Sequence, residues 1–65
     1  MKRVIHYIGL VGLGCGLTTE CKRDALRRIG IDNVATFRPA TQADVDWVKG
    51  MGGYVPDGRI AKEQS

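Results

Sequence analysis

Cysteine, histidine and aromatic residues are scarce in this 65-residue chain, and each scarcity removes a class of function. The two cysteines, Cys15 and Cys21, are too few for a disulfide scaffold, and a bridge between them would close only a very short loop. Both are read as reduced thiols, which fits a cytoplasmic chain. A metal site built on His6, Cys15 and Cys21 lacks a fourth ligand, and two cysteines six residues apart are not a zinc spacing, so no metal is expected. His6 is the sole histidine, and with scattered Asp and Thr it does not define a nucleophile, a base and an orienting group. Asp44 and Asp46 stand two apart in a helical segment and point to different faces, so they do not form an acid–base pair. The expectation is a non-enzymatic protein with no cofactor.

Long apolar runs are also missing. Val4 to Leu17 falls short of the about 20 apolar residues that span a bilayer, so no membrane contact is expected. Lys2 and Arg3 precede that run, and Gly12-Leu13-Gly14-Cys15 looks like a degraded lipoprotein cleavage box in which Gly12 replaces the usual larger aliphatic residue. Cytoplasmic localisation is therefore expected, with lipoprotein export through Cys15 as the alternative. Glycine, in contrast, is abundant. Gly9, Gly12, Gly14 and Gly16 match no phosphate-binding pattern: a dinucleotide fingerprint requires a small residue at Leu17 or Thr19, and no Lys followed by Ser or Thr closes a Walker loop.

What is present reads as one small α/β domain over residues 1–60, with α+β as the alternative class and a disordered tail over 61–65. Arg3 to Ile8 carries the β-branched and aromatic enrichment of a strand, and the glycines after it predict a loop. Thr18 or Thr19 is expected to cap a helix running to Ile29, with Cys21, Ala25, Leu26 and Ile29 as its apolar stripe. Gly30 supplies the stop, and Ile31 is placed to pack back on the last turn. Val34 to Phe37 reads as a second strand. Thr41 and Asp44 form a variant capping box opening a helix to about Met51, whose stripe is Ala43, Trp47, Val48 and Met51 with Val45 at its border. Tyr54 to Ile60 contains a Pro-Asp-Gly turn and allows a terminal hairpin. The order strand, helix, strand, helix suggests a crossover unit with parallel strands, completed by a third strand from the hairpin or a second subunit.

Two surfaces remain as candidates. Lys22, Arg23, Arg27 and Arg28 place four cations within one helix, a phosphate-sized patch in a chain of net charge +3. No interleaved aromatic set accompanies them, and Gly30 is displaced by one from the helix-turn-helix position. Trp47, Met51 and Tyr54 concentrate the large side chains near the end of the second helix, with the character of a protein interface if exposed.

A chain this short buries only about 60% of its unfolded surface, so a protein partner or a homodimer is expected. The leading expectation is a protein–protein interaction module: an adaptor, inhibitor or assembly factor. The alternative is a nucleic-acid-binding protein using the basic helix 19–29.

The stretch Val-Ala-Thr-Phe-Arg-Pro-Ala-Thr from Val34, followed by Asp-Trp-Val-Lys-Gly-Met-Gly-Gly-Tyr-Val-Pro-Asp-Gly-Arg-Ile to Ile60, resembles small uncharacterised proteins encoded by bacteriophages and prophages. That resemblance implies an accessory or host-interacting role and assigns no site residue.

Overall fold

The computed structural model describes residues 3–61. It contains β1 (His6–Leu10), β2 (Gly14–Thr18), α1 (Lys22–Ile29), a short 3-10 turn (Ile31–Asn33), β3 (Val34–Pro39) and α2 (Gln42–Gly50). The expected strand, helix, strand, helix order is present, with one strand added. Of the expected tail, residues 62–65 lie outside the described residues, and Ala61 is half-buried.

The added strand is β2, formed by the glycine-rich stretch in place of the expected loop. Val11, Gly12 and Leu13 make the turn, with Gly12 at φ 71, a conformation that costs any other residue strain. The chain then returns along β1, with His6 opposite Thr18 and Leu10 opposite Gly14.

That reversal overturns the expected parallel pairing. β2 delivers the chain to the His6 end, α1 carries it back, and β3 descends beside β1 with His6 opposite Pro39 and Tyr7 opposite Arg38. The sheet order is β2-β1-β3 and both pairings are antiparallel. The crossover helix joins β2 to β3, which run parallel to each other with β1 between them.

Residues 54–60 form no hairpin. Arg59 instead makes a single parallel bridge to Val4, donating to Arg3 O at 2.9 Å and accepting from Ile5 N at 2.9 Å. Ile5 O accepts from Ala40 N at 3.0 Å. A strand residue turns its N–H and C=O to the same side, so Ala40 and Arg59 share one edge of the first strand. The C-terminal segment fills that edge where β3 leaves it.

Strand alternation puts Ile5 and Tyr7 on one face of the sheet and His6, Ile8 and Leu10 on the other. On the first face α2 closes a core of Ile5, Leu17, Ala40 and Val48, with Tyr7, Cys15, Val45 and Val55 against it. On the second face α1 lies over buried Ile8 and supplies buried Ala25.

Several local expectations are corrected. The N-cap of α1 is Cys21, with no side-chain capping bond. Thr18 Oγ1 instead accepts from Glu20 N at 3.1 Å, turning the chain before the helix starts. Cys21 is consequently exposed and does not belong to the core stripe. Gly30 does end α1, at φ 100, but Ile31 stays 69% exposed and does not pack back. On α2 the apolar face is Val45 and Val48, while Ala43, Trp47 and Met51 point outward. The Thr41–Asp44 capping box fixes that helix's rotation and is present with both reciprocal bonds.

Candidate interaction surfaces

On the α2 face, Tyr7, Arg38 and Asp44 join the sheet to the helix. The Arg38 guanidinium stands 4.5 Å above the Tyr7 ring and makes two bonds to Asp44, Nη1 to Oδ2 at 2.6 Å and Nη2 to Oδ1 at 3.0 Å. Asp44 also accepts from Thr41 N at 2.9 Å. Arg38, then the Thr41 amide, holds the Asp44 carboxyl well below the usual carboxylate range. The adjacent Cys15 side chain, then desolvation, raises the Tyr7 hydroxyl above its ordinary pKa. Arg38 and Asp44 are spent on each other, so the arrangement braces the N-terminus of α2.

Lys22, Arg23, Arg27 and Arg28 are all exposed. Arg28 Nε is bound to Glu20 Oε1 at 2.7 Å, whereas among the described residues Lys22, Arg23 and Arg27 meet no carboxylate.

Trp47, Met51 and Tyr54 are 54%, 56% and 77% exposed. Trp47 and Met51 stand one helical turn apart on the outer face of α2, so the sequence-selected large side chains reach solvent and do not fill the core. The structure does not bring them together with the cationic residues, because α1 and α2 cover opposite sheet faces.

A further apolar group escaped the sequence reading. Val11, Leu13 and Ile31 are exposed, and Val11 N donates to Asn33 O at 3.0 Å, which places the hairpin tip against the 3-10 turn. The signal was there: an apolar pair flanking Gly12 has no interior to enter if the segment is a hairpin.

Two open cavities flank α1. One of about 210 Å³ lies toward β2, between Ile8, Leu10, Gly16, Arg28 and Ile29. The other, of about 220 Å³, lies toward β3, between Lys22, Leu26, Ile31, Val34 and Phe37.

No group of three metal-ligating side chains occurs among the described residues. His6 stacks on Phe37 at 4.8 Å, and its Nδ1 is shielded from solvent without a hydrogen-bond partner among the described residues. Cys15, the residue of the lipoprotein alternative, lies in β2 opposite Gly9, and cleavage before it would remove β1, the centre of the sheet. No helix among the described residues is long and apolar enough to cross a membrane. Comparison of this chain with protein-family models, with curated proteins and with solved structures found no match.

Proposed function

We propose that this chain is a non-enzymatic interaction module that binds another protein through Trp47, Met51 and Tyr54. The observation carrying the reading is the outward placement of its sole tryptophan, 54% exposed, in a domain whose buried apolar residues are Ile5, Ile8, Leu17, Ala25, Ala40 and Val48. Burying a large aromatic is among the strongest stabilising contributions open to a small fold, roughly 25 cal/mol per Å² of apolar area. Trp, Tyr and Met are also the residue types that supply the energy of protein interfaces. A protein partner or a second copy of the chain fits this surface, in keeping with the accessory role that the phage resemblance implies.

The test begins with sedimentation of the purified protein over a range of concentrations, followed by crosslinking from a photoreactive residue at position 47 and identification of what is captured. Trp47→Ala and Tyr54→Ala should abolish self-association or capture while leaving the circular dichroism spectrum intact. If both variants unfold, these residues support the fold and the surface is wrong.

The second reading, nucleic-acid binding through α1, is supported by the three cations without carboxylate partners. Fluorescence anisotropy with labelled DNA and RNA across salt concentrations separates it, since phosphate contacts weaken steeply as salt rises. Unchanged binding by a folded Arg23→Glu/Arg27→Glu protein would remove that patch.

A further inference from the structure

We infer that the free edge of β2 is a self-association surface: a second copy of this chain pairs its β2 antiparallel to the first across a two-fold axis at Gly16, joining the two sheets into one. The contact does not depend on the role assigned to Trp47.

The first observation is the phase of β2. The N–H and C=O of Ile5 both face the Ala40 and Arg59 side, so along β1 the backbone of His6, Ile8 and Leu10 faces β2. Their partners Thr18, Gly16 and Gly14 turn inward to meet them, and the N–H and C=O groups of Cys15 and Leu17 face outward. Among the described residues, no backbone group meets Cys15 or Leu17 on that side.

The second is the lack of protection on this edge. Gly14–Thr18 contains no charged residue and no proline. The opposite edge has both, since β3 carries Arg38 and ends at Pro39. Charge and proline are devices that keep sheet edges from pairing, so β2 is the unguarded edge.

The third is Gly16. Its φ lies outside the left-handed range, its pairing with β1 has no bulge, and a Cβ there would meet nothing within 4 Å. Neither the backbone nor packing within one chain asks for glycine at this position. Glycine inside a regular strand suits a place where another backbone comes close.

Symmetry selects the occupant. Cys15 and Leu17 stand on either side of Gly16, so a two-fold axis there sets Cys15 of each copy opposite Leu17 of the other and pairs every outward N–H and C=O of both residues. The two Gly16 residues become a non-hydrogen-bonded pair, where strands approach most closely. Gly16 also lines the cavity of about 210 Å³ beside Leu10 and Ile29, so the cavities of the two copies adjoin across the axis. Leu13, 76% exposed, comes alongside Thr19 of the second copy. Charge raises no barrier, since Arg28, the cation lining the cavity, is already bound to Glu20 at 2.7 Å.

The test combines sedimentation equilibrium of the intact protein with NMR of a sample in which half the molecules carry isotope labels. Pairing over a strand of 5 residues predicts a weak, concentration-dependent dimer. In the mixed sample, intermolecular contacts between the Hα protons of the two Gly16 residues should appear, and the Cys15 and Leu17 amides should gain protection from hydrogen exchange as concentration rises. Gly16→Lys sets like charges opposite each other and should weaken dimerisation at least about tenfold, whereas the small, uncharged Gly16→Ser should keep it. A monomer up to about 1 mM overturns the inference. So does equal dimerisation by folded Gly16→Lys, and so does an open-ended polymer, which reports β2 pairing with β3. Intermolecular contacts confined to Trp47 and Tyr54 overturn it as well, because they report association through α2 alone. If Gly16→Lys does not fold, the presence or absence of the wild-type Gly16 contact decides the case.

Discussion

Arg38 and Asp44, six residues apart, meet in a two-bond ion pair whose guanidinium also covers the Tyr7 ring at 4.5 Å. The same carboxylate closes the capping box of α2, so one side chain serves both the helix start and its attachment to the sheet. Its pKa is depressed in the folded chain, by Arg38 and then by the Thr41 amide. The resulting stability is present above the unfolded carboxyl pKa of about 3.9 and is lost as pH falls toward the folded value. Thermal melts of the wild type should fall below about pH 4. Asp44→Asn should lower the melting temperature at neutral pH and flatten that acid limb. An unchanged acid limb in the variant would show that other carboxylates govern it.

Gly58 occupies a position that admits no side chain. A Cβ there would stand 2.7 Å from Arg3 O, 2.8 Å from Ile5 Cγ1 and 3.0 Å from Thr19 Cγ2. Gly58→Ala should cost about 2 kcal/mol, because the nearest atom is backbone and cannot swing aside. Urea unfolding checks this, and an unaltered midpoint would mean that residues 58–60 are not seated against the first strand.

The rotation of α2 predicts opposite outcomes for adjacent residues. Val48→Ala removes buried methyl groups and should cost on the order of 2 kcal/mol, whereas Trp47→Ala should change stability by less than about 0.5 kcal/mol. Acrylamide should quench Trp47 fluorescence efficiently in the native protein. Poor quenching of a monomer would place the indole inside and sink the interface reading.

His6 stacks on Phe37 while its Nδ1, away from solvent, has no partner among the described residues. A buried polar atom with no partner costs roughly 1–3 kcal/mol. His6→Phe keeps a ring on Phe37 and removes the polar atom, so it should raise the unfolding midpoint by the equivalent of about 1 kcal/mol. A lower midpoint would mean that the second imidazole nitrogen makes a bond worth more than this cost.

Elements fixed by local chemistry were legible in the sequence. The Thr41–Asp44 box acts over four residues and needs no tertiary partner, so the start of α2 could be read directly. β2 could not, because Gly14 and Gly16 occupy one face of the strand and carry no side chain to mark it. Its other face holds Cys15 and Leu17, a period-two signal only two residues deep. The missed strand then carried the pairing error with it, since an unseen reversal turns an antiparallel neighbour into an expected parallel one. The large residues at the end of α2 were legible as a group, but their direction was not. Trp47 and Val48 are neighbours in sequence but about 100° apart round the helix, and the binding of Asp44 to Arg38 and to the Thr41 amide decided which of them faced the sheet.

The bridge between Val4 and Arg59 also sets when this domain is finished. The Ile5 amide lies far upstream of its acceptor, Arg59 O. Until that residue has emerged, the nascent chain carries an open notch in its central strand. The fold is therefore closed only when residues 58–60 are seated, and a chain cut before Gly58 would present that notch to chaperones and proteases.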